Sequence, residues 1–244
     1  MLVVAGLDPT GGAGLLADLE ALAAVGARGW AVASALTAQG ARGARGFEPA
    51  SEAMLLAQLD ALLDGPERPR AVKTGMLATA GLARALAARL ARAPVARAPL
   101  VVDPVVAASS GAPLLDAGGL APGDALAPLL ARAALATPNL PELALLTGDD
   151  VSTDEGAIRA ARRLPARAVL VKGGHRAGAP VDLLVEPRRV TRYAGRRRGG
   201  TARGTGCRLA SAIAGLLARG ASLDEAVRGA KRVVERYLDA CART

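Results

Sequence analysis

Short apolar runs alternate with segments of helical periodicity along almost the whole chain, and this alternation limits the possible folds more than any other feature. Strands are predicted over residues 2–5, 30–36, 71–74, 100–102, 135–137 and 168–172, and helices over 12–25, 51–63, 79–90, 124–130, 141–146, 152–163, 206–217 and 222–238. Because repeated strand-then-helix units bury a mostly parallel sheet between helices, we predict an α/β fold with helices on both faces.

One segment departs from this alternation. Residues 181–186 and 190–193 are two short apolar runs joined by Pro187, Arg188 and Arg189, a pattern that predicts a small antiparallel hairpin. Residues 41–45 and 195–200 are the best candidates for mobile loops. The chain has 244 residues and shows neither an internal repeat nor a linker, so we expect residues 1–244 to form one domain.

Charge, aromatic content and cysteine number disfavour several classes of protein. The net charge of +9 comes mainly from dispersed arginines, and aromatic residues make up only 2% of the chain, which disfavours nucleic-acid binding. The apolar runs are short and Met1 leads directly into a strand, so we expect neither a membrane span nor a secretion signal. With two cysteines and one histidine, neither a disulfide framework nor a zinc cluster is expected. A reducing cytoplasm is the predicted location.

Turn-rich segments follow five of the predicted strands, at residues 8–14, 73–77, 103–111, 137–142 and 172–175. In an open α/β sheet the carboxyl ends of parallel strands meet at one edge, where ligands bind. We therefore expect these five turns to form one ligand site.

The segment Gly204-Thr205-Gly206-Cys207 precedes an apolar run of helical character. The first N–H groups of a helix lack internal partners and its dipole is positive there, so this turn is suited to a phosphoryl group. The same field is expected to lower the pKa of the Cys207 thiol. Alternatively, the glycines make a tight turn and the cysteine packs as a small apolar residue. Neither a P-loop nor a dinucleotide-binding signature is present.

Seven motifs taken together resemble one known family. They are AGLDPTGGAG at 5–14 continuing to ADL at 17–19, AQ at 38–39, KTGML at 73–77, VDPV at 102–105, TPNLPE at 137–142, KGGH at 172–175 and GTGC at 204–207. Their order and types resemble the hydroxymethylpyrimidine/phosphomethylpyrimidine kinases of thiamine synthesis, and they cover nearly the whole chain. The resemblance implies a ribokinase-like three-layer sandwich.

The resemblance also implies an activity and its partners. The expected reactions are two ATP-dependent phosphorylations, of 4-amino-5-hydroxymethyl-2-methylpyrimidine and then of its monophosphate. The enzyme would use ATP and Mg²⁺ and would be a cytoplasmic homodimer that binds neither nucleic acid nor membrane.

On this resemblance the pyrimidine site is expected to include Gln39, Asp18, Met76 and Gly11. The Gln39 amide matches the ring nitrogen and exocyclic amine of an aminopyrimidine, which favours a ligand role over the alternative of a solvated loop glutamine. Asp18 would line the pocket, or else cap and solvate the first helix. Met76 would pack on the ring face or belong to the core.

The catalytic group implied by the resemblance is Cys207, as a thiolate that accepts the hydroxymethyl proton. Backbone N–H groups of Gly204, Thr205 and Gly206 would stabilise the moving phosphoryl group. His175 is expected to be a loop hydrogen-bonding residue rather than a catalyst.

The ATP-binding residues are expected to be Lys172, Asn139, Thr205 and Asp103. Glu142 and Asp103 would hold Mg²⁺ through water. Alternatively, Asn139 caps a helix and Asp103 pairs with Lys172.

Four positions depart from the family pattern: Leu7, Leu16, Ser109 and Arg203. Each removes or moves a polar contact, although the Arg203 guanidinium keeps a cation able to serve a phosphate. The departures leave two rival interpretations. One is a pyridoxal or pyridoxine kinase of the same family, and the other is a catalytically silent pyrimidine-binding protein.

Overall fold

A nine-stranded sheet lies at the centre of the computed structural model, which describes residues 1–40, 43–108, 111–174, 178–197 and 202–243. The strands in chain order are β1 (Leu2–Leu7), β2 (Trp30–Gly40), β3 (Gly43–Pro49), β4 (Val72–Thr74), β5 (Ala78–Thr79), β6 (Leu100–Val102), β7 (Leu115–Asp116), β8 (Leu135–Ala136), β9 (Val169–Val171), β10 (Val181–Val185) and β11 (Val190–Ala194). β5 and β7 form a separate two-stranded sheet, and the other strands form the central one.

The order of the central sheet is β11-β10-β9-β8-β6-β4-β1-β2-β3. Its strands from β9 through β2 are parallel, whereas β10, β11 and β3 pair antiparallel with their neighbours. Strand β1 lies between β2 and β4, so the direction of winding reverses at β1. In such sheets this reversal is where a ligand crevice opens.

The predicted mostly parallel sheet and the β10–β11 hairpin are confirmed. A second antiparallel pair, β2 with β3, was not predicted. Residues 43–45, which were expected in a mobile loop, belong to β3, while residues 41–42 lie outside the described ranges. The pairing shifts register between Ala38 and Gln39, and this irregularity bends the end of β2.

The helices are α1 (Gly14–Ala24), α2 (Glu52–Leu63), α3 (Ala80–Leu90), α4 (Pro122–Leu130), α5 (Leu140–Thr147), α6 (Asp154–Arg163), α7 (Thr205–Ala218) and α8 (Leu223–Cys241). α7 packs between α1 and α8 on one face of the sheet, and α2 to α6 follow one another along the other face. The predicted three-layer sandwich is therefore confirmed. Among the described residues, none of the helices has both the length and the apolar character that crossing a membrane requires.

The strands read as continuous apolar runs because both faces of the sheet are covered. On one face Val4 and Val72 pack with Leu55, Leu82 and Leu86 of α2 and α3. On the other face Val101 and Leu170 pack with Ile213 of α7. α7 is buried on most sides because it lies between the sheet and two helices, and this burial holds its first turn in place at the edge of the sheet.

Candidate active site

The first turns of α1 and α7 meet above the carboxyl ends of the central strands. The backbone N–H of Gly14 donates a hydrogen bond to the sulfur of Cys207. Gly204 has φ +67°, and a Cβ there would lie 2.2 Å from the carbonyl oxygen of Gly12. Only glycine allows this approach, because a side chain would collide with backbone. The glycine-rich turn after β1 and the GTGC turn therefore form one compact unit.

Both of these helices begin without a side-chain cap. The N-cap residues are Ala13 for α1 and Gly204 for α7, and neither offers a side-chain acceptor to the first N–H groups. The predicted helix start at the GTGC segment is confirmed, since α7 begins at Thr205. Two positive helix ends with uncapped N–H groups converge beside Cys207, an arrangement that favours an anion.

The pKa of Cys207 differs from the prediction. Burial raises the pKa of the thiol to about 11, and the nearby Lys73 ammonium only partly opposes this shift. The expectation of a lowered pKa was therefore wrong. The field of the helix is evident from sequence, but the loss of hydration and the carboxylates of Asp103 and Asp18 also act on the sulfur. In the resting protein Cys207 is a thiol.

A buried ion pair lies beneath the cysteine. The Lys73 Nζ is 2.8 Å from both carboxylate oxygens of Asp18, and both side chains have 0% exposure. Ser211 of α7 donates to the same carboxylate at 2.8 Å. Burial alone would lower the pKa of Lys73, but the surrounding groups, with the carboxylate of Asp18 first and that of Asp103 after it, together raise it.

These contacts contradict both expectations for Asp18. Its side chain neither lines an open pocket nor caps or solvates α1, because the carboxylate is enclosed by Lys73 and Ser211. It ties together α1, β4 and α7. Lys73 belongs to one of the seven motifs, but its pairing with Asp18, 55 residues away along the chain, was not predicted.

A second charged cluster lies at the ends of β6 and β9. Lys172 Nζ is 2.8 Å from Asp103 and 3.5 Å from Glu142, and Thr137 donates to Asp103 at 3.1 Å. Burial would raise the pKa of Asp103, but Lys172 and Lys73 outweigh it and the pKa is lowered. A Cβ on Gly206 would lie 3.0 Å from Lys172 Nζ, so the ammonium lies against the first turn of α7.

The partners of Lys172 are two carboxylates, those of Asp103 and Glu142. Asn139 caps α5: its Oδ1 accepts from the N–H of Glu142 at 2.8 Å, and Glu142 accepts from the N–H of Asn139 at 2.7 Å. Asn139 therefore caps a helix and Asp103 pairs with Lys172, as the alternative predictions had it. A contact of Asn139 or Asp103 with ATP stays a prediction.

The described ranges contain no group of three or more His, Cys, Asp or Glu side chains that could hold a metal ion directly. The donor set at Asp103 and Glu142 has two carboxylates for the one ammonium of Lys172. Carboxylates with an excess of negative charge suit a Mg²⁺ ion that keeps its water shell, so these residues fit a water-mediated site. That metal site stays a prediction.

Gln39 lies at the end of β2 in a line of hydrogen bonds. Arg203 donates to Gln39 Oε1 and also lies 3.2 Å from Asp8. Gln39 Nε2 donates to Thr37 Oγ1 at 3.0 Å, and Thr37 donates to the carbonyl of Leu7 at 2.9 Å. Gln39 is therefore an anchored residue beside the glycine-rich turn rather than a freely solvated one.

Met76 and Gly11 flank the same region. Met76 is buried in the core below the turn, and its Sδ is 3.1 Å from where a Cβ of Gly6 would stand. Gly11 has φ +71°, and its carbonyl is 3.4 Å from Arg208. The core alternative for Met76 is realised, and a contact of either residue with substrate stays a prediction.

Arg208, which sequence analysis missed, is a buried cation of α7. Its guanidinium donates to the carbonyl of Gly12 at 3.1 Å and lies 3.8 Å from the centre of the Tyr237 ring. It holds the glycine-rich turn against α7 and α8. An arginine inside the predicted helix, directly after the cysteine, was the only signal in the sequence.

A cavity of about 280 Å³ adjoins the first turn of α7. Its walls come from α7, α8 and the segments around β10 and β11, and include Thr205, Gly206, Leu209, Lys231, Val234, Leu238, Asp182 and Lys172. Its lining combines polar and charged side chains with the apolar side chains of Leu209, Val234 and Leu238, a mixture that is common in small-molecule pockets. His175 and Ser109 lie outside the described residues, so their expected roles stay predictions.

Residues 8–243 match the family model for phosphomethylpyrimidine kinase. The chain is 40% identical over 248 residues to the hydroxymethylpyrimidine/phosphomethylpyrimidine kinase of Rhizobium meliloti (strain 1021), covering 99% of this chain and 91% of that one. It is 44% identical over 241 residues to the thiamine biosynthesis bifunctional protein ThiED of Geobacter sulfurreducens. That match covers 96% of this chain but only 48% of the longer protein.

Solved structures agree with these relatives. The phosphomethylpyrimidine kinase from Clostridium difficile 630 superposes with a TM-score of 0.82 at 32% identity, covering 97% of this chain and 98% of that one. The pyridoxal kinase from Staphylococcus aureus in complex with AMP-PCP has a TM-score of 0.82 at 28% identity, covering 96% and 85%.

Proposed function

The chain belongs to the phosphomethylpyrimidine kinase family, and from this premise we propose that it transfers phosphoryl groups from ATP to 4-amino-5-hydroxymethyl-2-methylpyrimidine and then to its monophosphate. These are the steps that supply the pyrimidine diphosphate for thiamine phosphate. The observation that carries the proposal is the convergence of two uncapped helix starts, α1 and α7, on Cys207 with Lys172 alongside.

In the proposed first reaction the hydroxymethyl oxygen attacks the γ-phosphorus of ATP. The new oxygen–phosphorus bond forms as the bond to the β–γ bridging oxygen breaks, and ADP leaves. Cys207, as the thiolate, takes the hydroxyl proton. A loose transition state needs little proton removal beforehand, so a rare thiolate with a high pKa is suited to accept the proton late.

The charge of the moving phosphoryl group is the main demand on such a site. Backbone N–H groups of Gly204, Thr205 and Gly206 are proposed to donate to its oxygens. Lys172 adds a positive charge beside Gly206, where Asp103 and Glu142 already hold it. Pre-oriented donors cost no reorganisation during the reaction, which is why this contribution is expected to be large.

The nucleotide is proposed to lie in the cavity beside α7, with its phosphates at Thr205 and Lys172. Asn139 Oδ1 accepts the capping hydrogen bond of α5, so the amide nitrogen Nδ2 would be the atom that donates to the triphosphate. Mg²⁺ would be held through water by Asp103 and Glu142, and when bound it would neutralise phosphate charge.

The acceptor is proposed to lie on the other side of Cys207, between Gln39, Gly11 and Met76. The anchoring of Gln39 by Arg203 and Thr37 supports a recognition role, because a fixed amide reads a donor and acceptor pair better than a mobile one. Residues 1–244 are proposed to form one kinase domain that acts as a homodimer in the cytoplasm.

The test is ADP release by the purified protein with ATP and Mg²⁺, offered the hydroxymethylpyrimidine, its monophosphate, pyridoxal or no acceptor. Turnover on both pyrimidines is expected. Turnover on pyridoxal alone would replace the proposal by a pyridoxal kinase, an outcome that the likeness to the Staphylococcus aureus enzyme makes worth including. Pyrimidine binding by calorimetry without turnover on any acceptor would identify a silent binding protein.

A further inference from the structure

Of the three residues of the proposed acceptor site, Gln39, Gly11 and Met76, Gln39 is the one whose side chain can present its oxygen and nitrogen in either of two opposite orientations. Rotation of the amide by half a turn exchanges a hydrogen-bond acceptor for two donors. An aminopyrimidine presents a donor, its 4-amino group, next to an acceptor, its ring N3. A 4-oxo pyrimidine presents the reverse order, so the orientation of the amide decides which ring is recognised.

The contacts around Gln39 permit only one orientation. Arg203 has donors and no acceptor, so the group facing it must be the amide oxygen, Oε1. At the other end of the amide, the Thr37 hydroxyl donates its single proton to the carbonyl oxygen of Leu7, 2.9 Å away. Thr37 can therefore only accept from Gln39, and the group 3.0 Å away must be Nε2.

The four groups form a directed chain of hydrogen bonds from Arg203 through Gln39 and Thr37 to the backbone of Leu7. Asp8 keeps the guanidinium in place at 3.2 Å, and Asp8 is itself buried and bonded to the backbone N–H of Thr10 at 2.9 Å. Each end of the amide retains capacity after these bonds. Oε1 has a second lone pair and Nε2 has a second proton.

We propose that Arg203 and Thr37 are positioning residues that fix the polarity of the Gln39 amide, and thereby select a 4-amino over a 4-oxo pyrimidine. This inference rests on the proposed function for the identity of the acceptor. The free lone pair of Oε1 accepts from the amino group and the free proton of Nε2 is donated to the ring nitrogen. A 4-oxo ring would place acceptor against acceptor and donor against donor.

The experiment compares two ligands, 4-amino-5-hydroxymethyl-2-methylpyrimidine and its 4-oxo analogue, by calorimetric Kd and by kcat/KM. Wild type is expected to favour the amino compound by about a hundredfold or more, as sites built on directed hydrogen bonds do. Arg203→Met removes the donors that face Oε1, so inversion of the amide then costs only its hydrogen bond with Thr37. We expect this variant to reduce the preference to about tenfold or less.

Three further variants separate polarity from general damage. Arg203→Lys keeps a donor-only group and should retain most of the preference, and Thr37→Val should relax it from the other end of the chain, whereas Thr37→Ser should not. Arg188→Met, an exposed arginine of the β10–β11 turn, is the matched control and should leave both ligands unaffected.

Unchanged discrimination in both Arg203→Met and Thr37→Val would overturn the inference. So would a loss confined to KM for the pyrimidine monophosphate, because Arg203 would then serve the substrate phosphate instead. Calorimetry keeps the two proposals separable: a wild type that binds and discriminates without turnover contradicts the kinase function only, and turnover with unrelaxed variants contradicts the inference only.

Discussion

The helix starts at the candidate site differ from those elsewhere in the molecule. Five helices begin with a side chain that accepts from their first N–H groups, namely Ser51 for α2, Thr79 for α3, Asn139 for α5, Thr153 for α6 and Ser222 for α8. α1 and α7 begin at Ala13 and Gly204 without one. α4 also lacks a cap, but its first residue is Pro122, which has no N–H to satisfy.

The difference separates helix starts that a side chain stabilises from helix starts whose first N–H groups have no side-chain acceptor. A side-chain cap stabilises a helix by about 1 kcal/mol, and a start without one leaves its N–H groups to water or a ligand. Of the three helices without a side-chain cap, α1 and α7 are the two whose first turns meet at Cys207.

Removal of the sulfur should have the largest effect. For Cys207→Ala we expect kcat to fall by about 10²–10⁴-fold, as for loss of a proton acceptor, with little change in ATP affinity. Steady-state kinetics on the hydroxymethylpyrimidine measure it, and Cys241→Ala is the control. A near-wild-type rate would mean that the open helix starts act without the thiol.

The pH dependence of alkylation sharpens the contrast between helix field and burial. The pKa of Cys207 is raised to about 11, so its thiolate is scarce at neutral pH and increases as pH approaches that value. In a Cys241→Ala background, iodoacetamide should modify Cys207 about a hundredfold more slowly at neutral pH than an ordinary cysteine thiol, because two pKa units change the thiolate fraction by that factor. A plateau reached near pH 7 would show that the helix field dominates after all.

A side chain at the contact between the two turns should have a smaller effect. For Gly204→Ala we expect about a tenfold loss of kcat/KM and a decrease of about 1–3 kcal/mol in unfolding free energy, since the backbone is left-handed and Cβ would meet Gly12. Gly220→Ala is the matched control, because Gly220 has φ +91° and nothing lies within 4 Å of its Cβ position. Equal kinetic losses in both would show that left-handed backbone strain, rather than the contact, matters.

The caps themselves should give the smallest changes. Ser222→Ala should lower the unfolding free energy by about 1 kcal/mol, measured in urea, and leave kcat unchanged. Ala13→Ser should raise the unfolding free energy by a few tenths of a kcal/mol to about 1 kcal/mol, because it adds a cap to α1. It should also lower kcat/KM, because the new cap occupies N–H groups at the site. If Ala13→Ser raised stability and left kcat/KM unchanged, the open start of α1 would have no role in binding.

Most of the fold could be predicted because strand and helix periods are local properties of sequence. The start of α7 was placed within one residue, and β6 was placed at its observed bounds. β3 was missed because its sequence, GARGFEP, has two glycines and no β-branched residue, and only pairing with the end of β2 makes it a strand. β5 and β7, of two residues each, leave no detectable period.

The site could be predicted only as far as its turns. Strand ends are visible in sequence, and they located Lys172 and Asp103 at one edge of the sheet. The Lys73–Asp18 pair and the contacts of Arg203 join residues that are far apart in sequence, so no local sequence pattern predicts them. The same limit explains the wrong pKa for Cys207, because the helix field is local whereas burial is a property of the whole fold.

The meeting of α1 with α7 has a consequence for biosynthesis. Asp18 and Ser211 are bonded across 193 positions of the chain, so this contact of α1 waits for α7, which is made much later. Contacts of such long sequence separation form late, since the closure of a large loop precedes any gain from it. A nascent chain still lacking α7 would hold the glycine-rich turn after β1 without the first turn of α7, so the two turns could not meet until α7 had been made.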